Sequence, residues 1–375
     1  MPTSLDPPAE TRLTTPRTPY PCSSAPSIVG PPLLNVNVWR DTVYTQRSCA
    51  SRMPDLLDIG PIRAMAERAG NNIEQVIVGK RDVINLLLVA LLCEGHVLIE
   101  DVPGIGKTML AKSVARTLDC SFRRIQFTPD LLPSDVTGFS FFNQRVQEFE
   151  FRPGPIFSQV VLADEINRAT PRTQSALLEC MDERQVSLEG ETRALPRPFL
   201  VLATQNPIEL EGTFPLPEAQ LDRFLLRVSV GYPSEADEKN IVRRFRAGSP
   251  LDELPAVVQQ AELVAMQRLA REVHVAEAVE DYIVRLVRAS RLHASVELGA
   301  SPRATLALYR ASQALAGLNG RGYVQPDDVK RLAPAVLTHR LITSAQSRLR
   351  GKGAGDVLSE IVASVPVPVE DTVRA

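Results

Sequence analysis

The run Val97-Leu98-Ile99-Glu100, followed by Asp101-Val102-Pro103-Gly104-Ile105-Gly106-Lys107-Thr108, constrains this chain more than any other feature. A β-rich tetrapeptide enters a glycine-bearing loop, and a helical stretch from Met109 to Leu118 leaves it. Strand, loop and helix in that order curl bare backbone N–H groups around an anion and set the partial positive charge of a helix N-terminus behind it. In such a loop Lys107 reaches the β- and γ-phosphates of a nucleotide, and the Thr108 hydroxyl is a magnesium ligand. One residue departs from the pattern. The first loop position, where glycine is expected, holds Asp101, and a carboxylate there has to point away from the phosphates. The competing account is a glycine turn with an incidental lysine.

A second motif answers the first. Val160-Val161-Leu162-Ala163 is an apolar strand ending in Asp164-Glu165, and one further β-rich run lies between it and Lys107. Two acids at the C-terminal edge of a buried parallel strand stand where such sheets bind ligands. Asp164 suits the magnesium shell, and Glu165 suits polarising the attacking water. Phe199–Ala203 leads into Thr204-Gln205-Asn206-Pro207, where Asn206 is either a group orienting that water or a turn residue before proline. Arg223, in Leu221-Asp222-Arg223-Phe224, reads by itself as a surface salt bridge. Arg303 is a stronger candidate. Ser301 reads as an N-cap and Pro302 as the first helical residue, so a cation falls in a first turn that the helix dipole disfavours by about 0.3–1 kcal/mol. A nearby anion would remove the conflict, and a solvated arginine is the alternative.

The β-rich runs Val97–Glu100, Phe122–Phe127, Val160–Ala163, Phe199–Ala203 and Leu226–Val230 alternate with helical patterns, the mark of a parallel sheet covered by helices. After Tyr232-Pro233 the strand signal vanishes. Val279, Tyr282, Ile283, Leu286 and Val287 trace one buried helical face, and Ser234 with Asp237 opens the first helix of that region as a capping box. The expected division is therefore a proline-rich tail at 1–53, an α/β core at 54–232, a helical domain at 233–368 and a flexible end at 369–375. The tail lacks periodicity and shows no secretory signal, which fits disorder, and Met53 is an alternative start. A chain of 375 residues, 44% hydrophobic and 23% charged, suffices for two or three domains. Its net charge of -2 shows no basic excess that would advertise a nucleic-acid surface. The apolar run Val83–Cys93 is far shorter than the roughly 20 residues of a bilayer span and reads as a buried helix. Cys22, Cys49, Cys93, Cys120 and Cys180 include no Cys-x-x-Cys, which argues for reduced thiols in a cytosol. The histidines lie too far apart in sequence to suggest a metal site.

The segment Gln126-Phe127-Thr128-Pro129-Asp130-Leu131-Leu132-Pro133-Ser134-Asp135-Val136-Thr137-Gly138 resembles the signature of the MoxR family of AAA+ ATPases. So do Phe151-Arg152-Pro153-Gly154-Pro155-Ile156-Phe157, Asp164-Glu165-Ile166-Asn167-Arg168 and Ser301-Pro302-Arg303-Ala304, all in family order between about Met53 and Pro368. The resemblance implies a five-stranded P-loop core with helices on both faces, followed by an all-helical lid. It implies a hairpin inserted in the second helix at Gly138–Arg152 and a second hairpin between Gln185 and Pro198. It makes Gly104, Gly106, Lys107 and Thr108 the Walker A residues, Asp164 and Glu165 Walker B, Asn206 sensor 1, Arg223 the arginine finger and Arg303 sensor 2. The nucleotide contacts extend to Val78, Gly79, Asp101, Val102, Pro103, Ile105 and Met109. ATP and Mg²⁺ follow, as do a cytoplasmic homo-hexamer and a protein partner carrying a von Willebrand factor A domain. Two other functions compete: a nucleic-acid motor of the related helix-2-insert rings, and a nucleotide-dependent scaffold that scarcely turns over. Between Phe139 and Phe151 one arginine faces two glutamates, which disfavours the motor, and an intact Glu165 disfavours the scaffold.

Overall fold

Two helices precede the first strand in the structure, a computed structural model that describes residues 58–206, 212–246 and 248–368. The expectations for 1–53 and 369–375 lie outside those residues. Helix α1 (Gly60–Glu74) is followed by α2 (Arg81–Leu92), the apolar run read as a buried helix, and then by β1 (Val97–Glu100) and α3 (Lys107–Thr117). The chain continues through β2 (Phe122–Gln126) and the short α4 (Pro133–Thr137) into a hairpin of β3 (Gly138–Asn143) and β4 (Glu148–Pro153). Strand β5 (Val160–Asp164) and helix α5 (Pro171–Glu183) lead to a second hairpin, β6 (Gln185–Leu188) with β7 (Glu191–Ala194). Strand β8 (Leu200–Gln205), helix α6 (Glu218–Leu221) and β9 (Leu226–Val228) complete the α/β part.

The central sheet runs β2-β5-β8-β1-β9 with every pairing parallel. Sequence alternation decides its faces. Val97 and Ile99 of β1, with Leu200 and Leu202 of β8, point to the side packed by α1, α2 and α3. Leu98, Val161, Ala163, Val201 and Ala203 point to the side packed by α5 and Phe224. Both faces of the inner strands β5, β8 and β1 are buried, so these strands are near-continuously apolar, whereas the edge strand β2 carries exposed Arg123 and Arg124. All five run the same way, so the loops after β1, β8, β5 and β2 gather at one edge. The residues just before β9 and β1 lie at the other.

Helices dominate the rest: α7 (Glu235–Phe245), α8 (Gln260–Arg271) and α9 (Glu277–Leu292), then α10 (Pro302–Leu318), α11 (Pro326–Leu337), α12 (Ala345–Leu349) and α13 (Ala354–Ser364). The apolar face expected on α9 is buried as read. The Ser234 hydroxyl accepts the Asp237 N–H at 3.2 Å and caps α7. The helical region does contain strands, contrary to the sequence reading. β10 (Val296–Leu298) pairs antiparallel with β11 (Ile342–Thr343). Segments of two and three residues are too short to show a period of two, and their pairing joins distant parts of the chain. The apolar core is also continuous, because α1 and α2 pack against α8 and α10. Among the described residues no helix is long and apolar enough to cross a membrane.

Candidate active site

The loop between β1 and α3 takes its shape from two glycines. Gly104 and Gly106 have φ of +85° and +89°, a left-handed region that only glycine enters readily. Nothing lies within 4 Å of where a Cβ on either would stand, so the loop is open on that side. Gly106 is the N-cap of α3 and Lys107 begins it, which aims the N–H groups of the first turn into the loop. The Lys107 ammonium donates to the Asp101 carbonyl oxygen at 2.8 Å and so folds over the loop. Asp101 itself is buried, and its side chain turns away as the sequence required. One carboxylate oxygen accepts the Ser229 hydroxyl at 3.0 Å and the N–H groups of Val230 and Gly231 at 2.6 and 2.7 Å. The residue that breaks the glycine pattern thus ties the phosphate loop to the chain leaving β9. Beside the loop lies a cavity of about 380 Å³ lined by Val78, Pro103, Ile105, Met109, Tyr232 and Ile241. Gly79 adjoins this cavity without lining it. Its φ is +69°, and a Cβ there would collide with the Asp237 carboxylate on α7.

The acidic pair stands on the same edge. Asp164 closes β5, and its two carboxylate oxygens are engaged separately. The Thr204 hydroxyl donates to one at 2.6 Å, and the Arg124 guanidinium grips the other at 2.6 and 3.0 Å. Glu165 has φ of +56°, a conformation that costs a non-glycine residue roughly 1–2 kcal/mol and needs local support. Its N–H donates to Thr204 Oγ1 at 2.9 Å. Its carboxylate accepts from Gln126 at 2.8 Å and from Arg168 at 2.9 Å. Asn206 is buried at the end of β8, the strand between β5 and β1, which sets it between the acids and the loop. The sequence reading gave no role to Gln126, Thr204, Arg124 or Arg168. The available signal was polarity at the C-terminal ends of otherwise apolar strands, since Gln126 lies in register with Asp164.

The two candidate arginines sit elsewhere, together. Arg223 precedes β9, whereas the phosphate loop follows β1, its parallel neighbour, so the two lie at opposite edges, at least roughly 10 Å apart at 3.3 Å per residue. Arg303, in the first turn of α10, joins Arg223 rather than the loop. The Asp182 carboxylate, near the end of α5, lies 3.0 Å from Arg223 Nε and 3.6 Å from Arg303 Nη1. The anion that the first turn of α10 called for is therefore Asp182, and the salt bridge read for Arg223 is real. The Ser301 hydroxyl caps α10 and donates to Asp222 at 2.8 Å, which joins the two arginine-bearing segments a second time.

The profile of the ATPase family associated with various cellular activities matches residues 96–226, and that of the AAA lid domain matches residues 288–361. The chain is 49% identical to the uncharacterised protein YeaC of Bacillus subtilis, over 81% of its own length and 95% of that protein's. It is 42% identical to chaperone MoxR1 of Mycobacterium tuberculosis, over 80% and 82% of the two chains. The chain belongs to the MoxR family of AAA+ ATPases. A solved structure from Cytophaga hutchinsonii, described as a candidate ATPase, superposes on this MoxR chain with a TM-score of 0.78. It is 38% identical and is covered to 97%, for 83% of the present chain.

Both family hairpins are formed in this MoxR chain, at the places the resemblance implied. The first carries Phe139, Phe141, Phe142 and Phe149, all exposed, with Phe149 74% accessible. Phe142 and Phe149 meet edge to face at its tip. At its base the Arg193 guanidinium of the second hairpin stands 4.3 Å from the Phe151 ring centre. The buried His96 and the three cysteines of the described residues lie away from the loop. Burial pushes the His96 imidazole down to about 4, and its Nδ1 accepts the Val201 N–H at 3.0 Å. Burial likewise raises the thiols of Cys93, Cys120 and Cys180 to about 12, which keeps them protonated at neutral pH.

Proposed function

We propose that this MoxR-family chain hydrolyses Mg-ATP as part of a ring of identical subunits, six in number as the resemblance implies, and uses the cycle to remodel a protein partner. The observation that carries the reading is the shared edge where the open glycine loop, Lys107, Asp164 and Glu165 converge. The loop and the start of α3 would hold the β- and γ-phosphates, and the apolar cavity beside Val78 and Met109 would take the base. Thr108 and Asp164 would hold Mg²⁺, which when bound neutralises charge on the phosphates. Glu165 would take the proton of the attacking water, after leaving Gln126 and Arg168. Asn206 would orient that water. Arg223 and Arg303, on the edge opposite their own loop, would act on the nucleotide of the neighbouring subunit.

The exposed phenylalanines of the β3–β4 hairpin support a polypeptide partner over a nucleic acid. The segment from Phe139 to Phe151 has one arginine and two glutamates, a poor match for phosphates. A relative named as a chaperone points the same way, and a von Willebrand factor A protein is the partner the family resemblance suggests. The test is the Glu165→Gln variant. ATP affinity by titration calorimetry should stay within about threefold of wild type, while phosphate release falls at least about 10²-fold, the loss expected of a missing general base. Wild-type turnover would overturn the role of Glu165. Filter retention of labelled oligonucleotides at physiological salt would favour the nucleic-acid motor instead.

A further inference from the structure

The cleft of about 240 Å³ that contains Arg223, Arg303 and Asp182 also includes Arg184, Arg310 and Arg340 in its lining. Asp182 and Arg303 each carry a charge that needs a reason. Asp182 is an acid in the last turn of α5, where the helix dipole disfavours negative charge, and Arg303 is a cation in the first turn of α10, where the dipole disfavours positive charge. Each residue is misplaced on its own helix, and the two meet across the junction between the sheet domain and the helical domain. The same carboxylate oxygen also faces Arg223 Nε, so one oxygen serves both guanidinium groups. Without it, two like charges from different domains would stand side by side in a cleft already rich in arginine, and each would swing toward solvent. Arg303 is 61% exposed and has room to do so.

The backbone is braced at the same place. Asp222, next to Arg223, accepts from the Ser301 hydroxyl at 2.8 Å and from the buried Arg340 Nε at 2.7 Å. The segments carrying the two arginines are thus fixed to each other, which leaves the direction of the side chains as the remaining freedom. Asp182 removes it.

We infer that Asp182 is a positioning residue that holds Arg223 and Arg303 as one forked cation, ready for the γ-phosphate presented by the neighbouring subunit. This rests on the proposal that the two arginines act in trans. Asp182 touches no nucleotide and works through the arginines, so its loss should slow turnover without weakening ATP binding. Misplacement of a reacting group by about 1 Å can cost as much as 10²-fold in rate.

The experiment uses the full chain with Asp182→Ala and Asp182→Glu, and with Arg223→Ala as the control. For Asp182→Ala we expect kcat to fall about 10- to 100-fold, while KM for ATP stays within about threefold, in rings of unchanged mass by light scattering. Asp182→Glu should recover a substantial part of the rate, because it keeps the charge. Mixing Asp182→Ala subunits with Lys107→Ala subunits should also restore hydrolysis, since the latter supply an intact Asp182 to the former's nucleotide. A wild-type kcat in Asp182→Ala overturns the inference. So does a loss that mixing does not relieve, and so does a loss that coincides with dissociation of the ring, which would make Asp182 a structural salt bridge. If Arg223→Ala itself turns over at the wild-type rate, the parent reading of Arg223 fails. If Arg223→Ala is inactive while Asp182→Ala is unaffected, only the present inference fails.

Discussion

A single carboxylate shows how the residue scale governs the site. Asp101 accepts the N–H groups of Val230 and Gly231, which stand where β9 gives way to the helical region. In Asp101→Ala both donors lose their acceptor, and each buried donor left unsatisfied costs about 1–3 kcal/mol. The expected outcome is a melting temperature lower by several degrees and a weaker affinity for ATP, read by calorimetry on the same sample. Unchanged melting would show that water replaces the carboxylate. Lys107→Ala differs in kind. Its ammonium donates to the loop's own Asp101 carbonyl at 2.8 Å, a contact within the loop, so stability should change little while ATP affinity drops by at least about tenfold. The necessity for Asp101 to face away from the phosphates was legible in the sequence, because a second negative charge cannot share a phosphate cradle. Its actual partners were not legible, since Asp101 and Ser229 lie far apart along the chain.

At the scale of elements, the β3–β4 hairpin depends on close approach at its base. Gly138 has φ of +94°, and a Cβ there would strike the Arg152 carbonyl oxygen and the Gly154 N–H. Gly138→Ala should therefore pry the strands apart and expose residues 143–148 to protease, with cleavage rates at those bonds as the measurement. Phe149→Ser removes a ring that is 74% exposed and loses its edge-to-face contact with Phe142, worth about 0.5–1.5 kcal/mol, so the melting temperature should fall by no more than a few degrees. A larger drop would mean that the ring carries more of the hairpin's stability than this one contact. Helix α2 was readable as an apolar run too short to span a bilayer, α9 from its apolar periodicity, and α7 and α10 from their caps. The β10–β11 ribbon was not readable, because two- and three-residue strands carry no periodic signal and owe their pairing to the helices that bring them together.

The whole molecule is held by buried charge as well as by its apolar core. Arg340, 3% exposed, donates to the Asp222 carboxylate at 2.7 Å and to the Phe224 carbonyl oxygen at 2.6 Å, which fastens the end of α11 to the chain entering β9. Arg340→Leu takes the guanidinium partner from Asp222, whose carboxylate is 17% exposed and keeps the Ser301 hydroxyl. Loss of one partner of such a pair costs about 3–5 kcal/mol, so denaturant titration should show a clear fall in the unfolding midpoint. Acid should act through His96. Burial lowers its pKa from an ordinary 6.5 to about 4, so between those values the unfolded chain binds the proton and the folded chain does not. Stability from this group is therefore complete above pH 6.5 and declines as pH falls toward 4, with a slope of up to about 1.4 kcal/mol per pH unit. His339, also pushed well below its ordinary value by burial, adds to the same trend. Melting temperatures that stay flat from pH 7 to pH 5 would contradict this account.

Local chemistry determined what the sequence by itself could determine. Phosphate loops, acids that end strands, and caps with amphipathic faces all need particular residue types at fixed short spacing, so Lys107, Asp164, Glu165 and the order of strands and helices were legible without coordinates. Only the tertiary structure decided which distant groups meet. It placed Gln126 on the Glu165 carboxylate, and Thr204 between the two acids. It gathered Arg223 and Arg303 on Asp182, at the sheet edge away from the loop of the same chain. Each of those contacts joins segments whose separation along the chain carries no periodic or spacing signal. Packing on both faces of one twisted parallel sheet is the physical agent that brings them together.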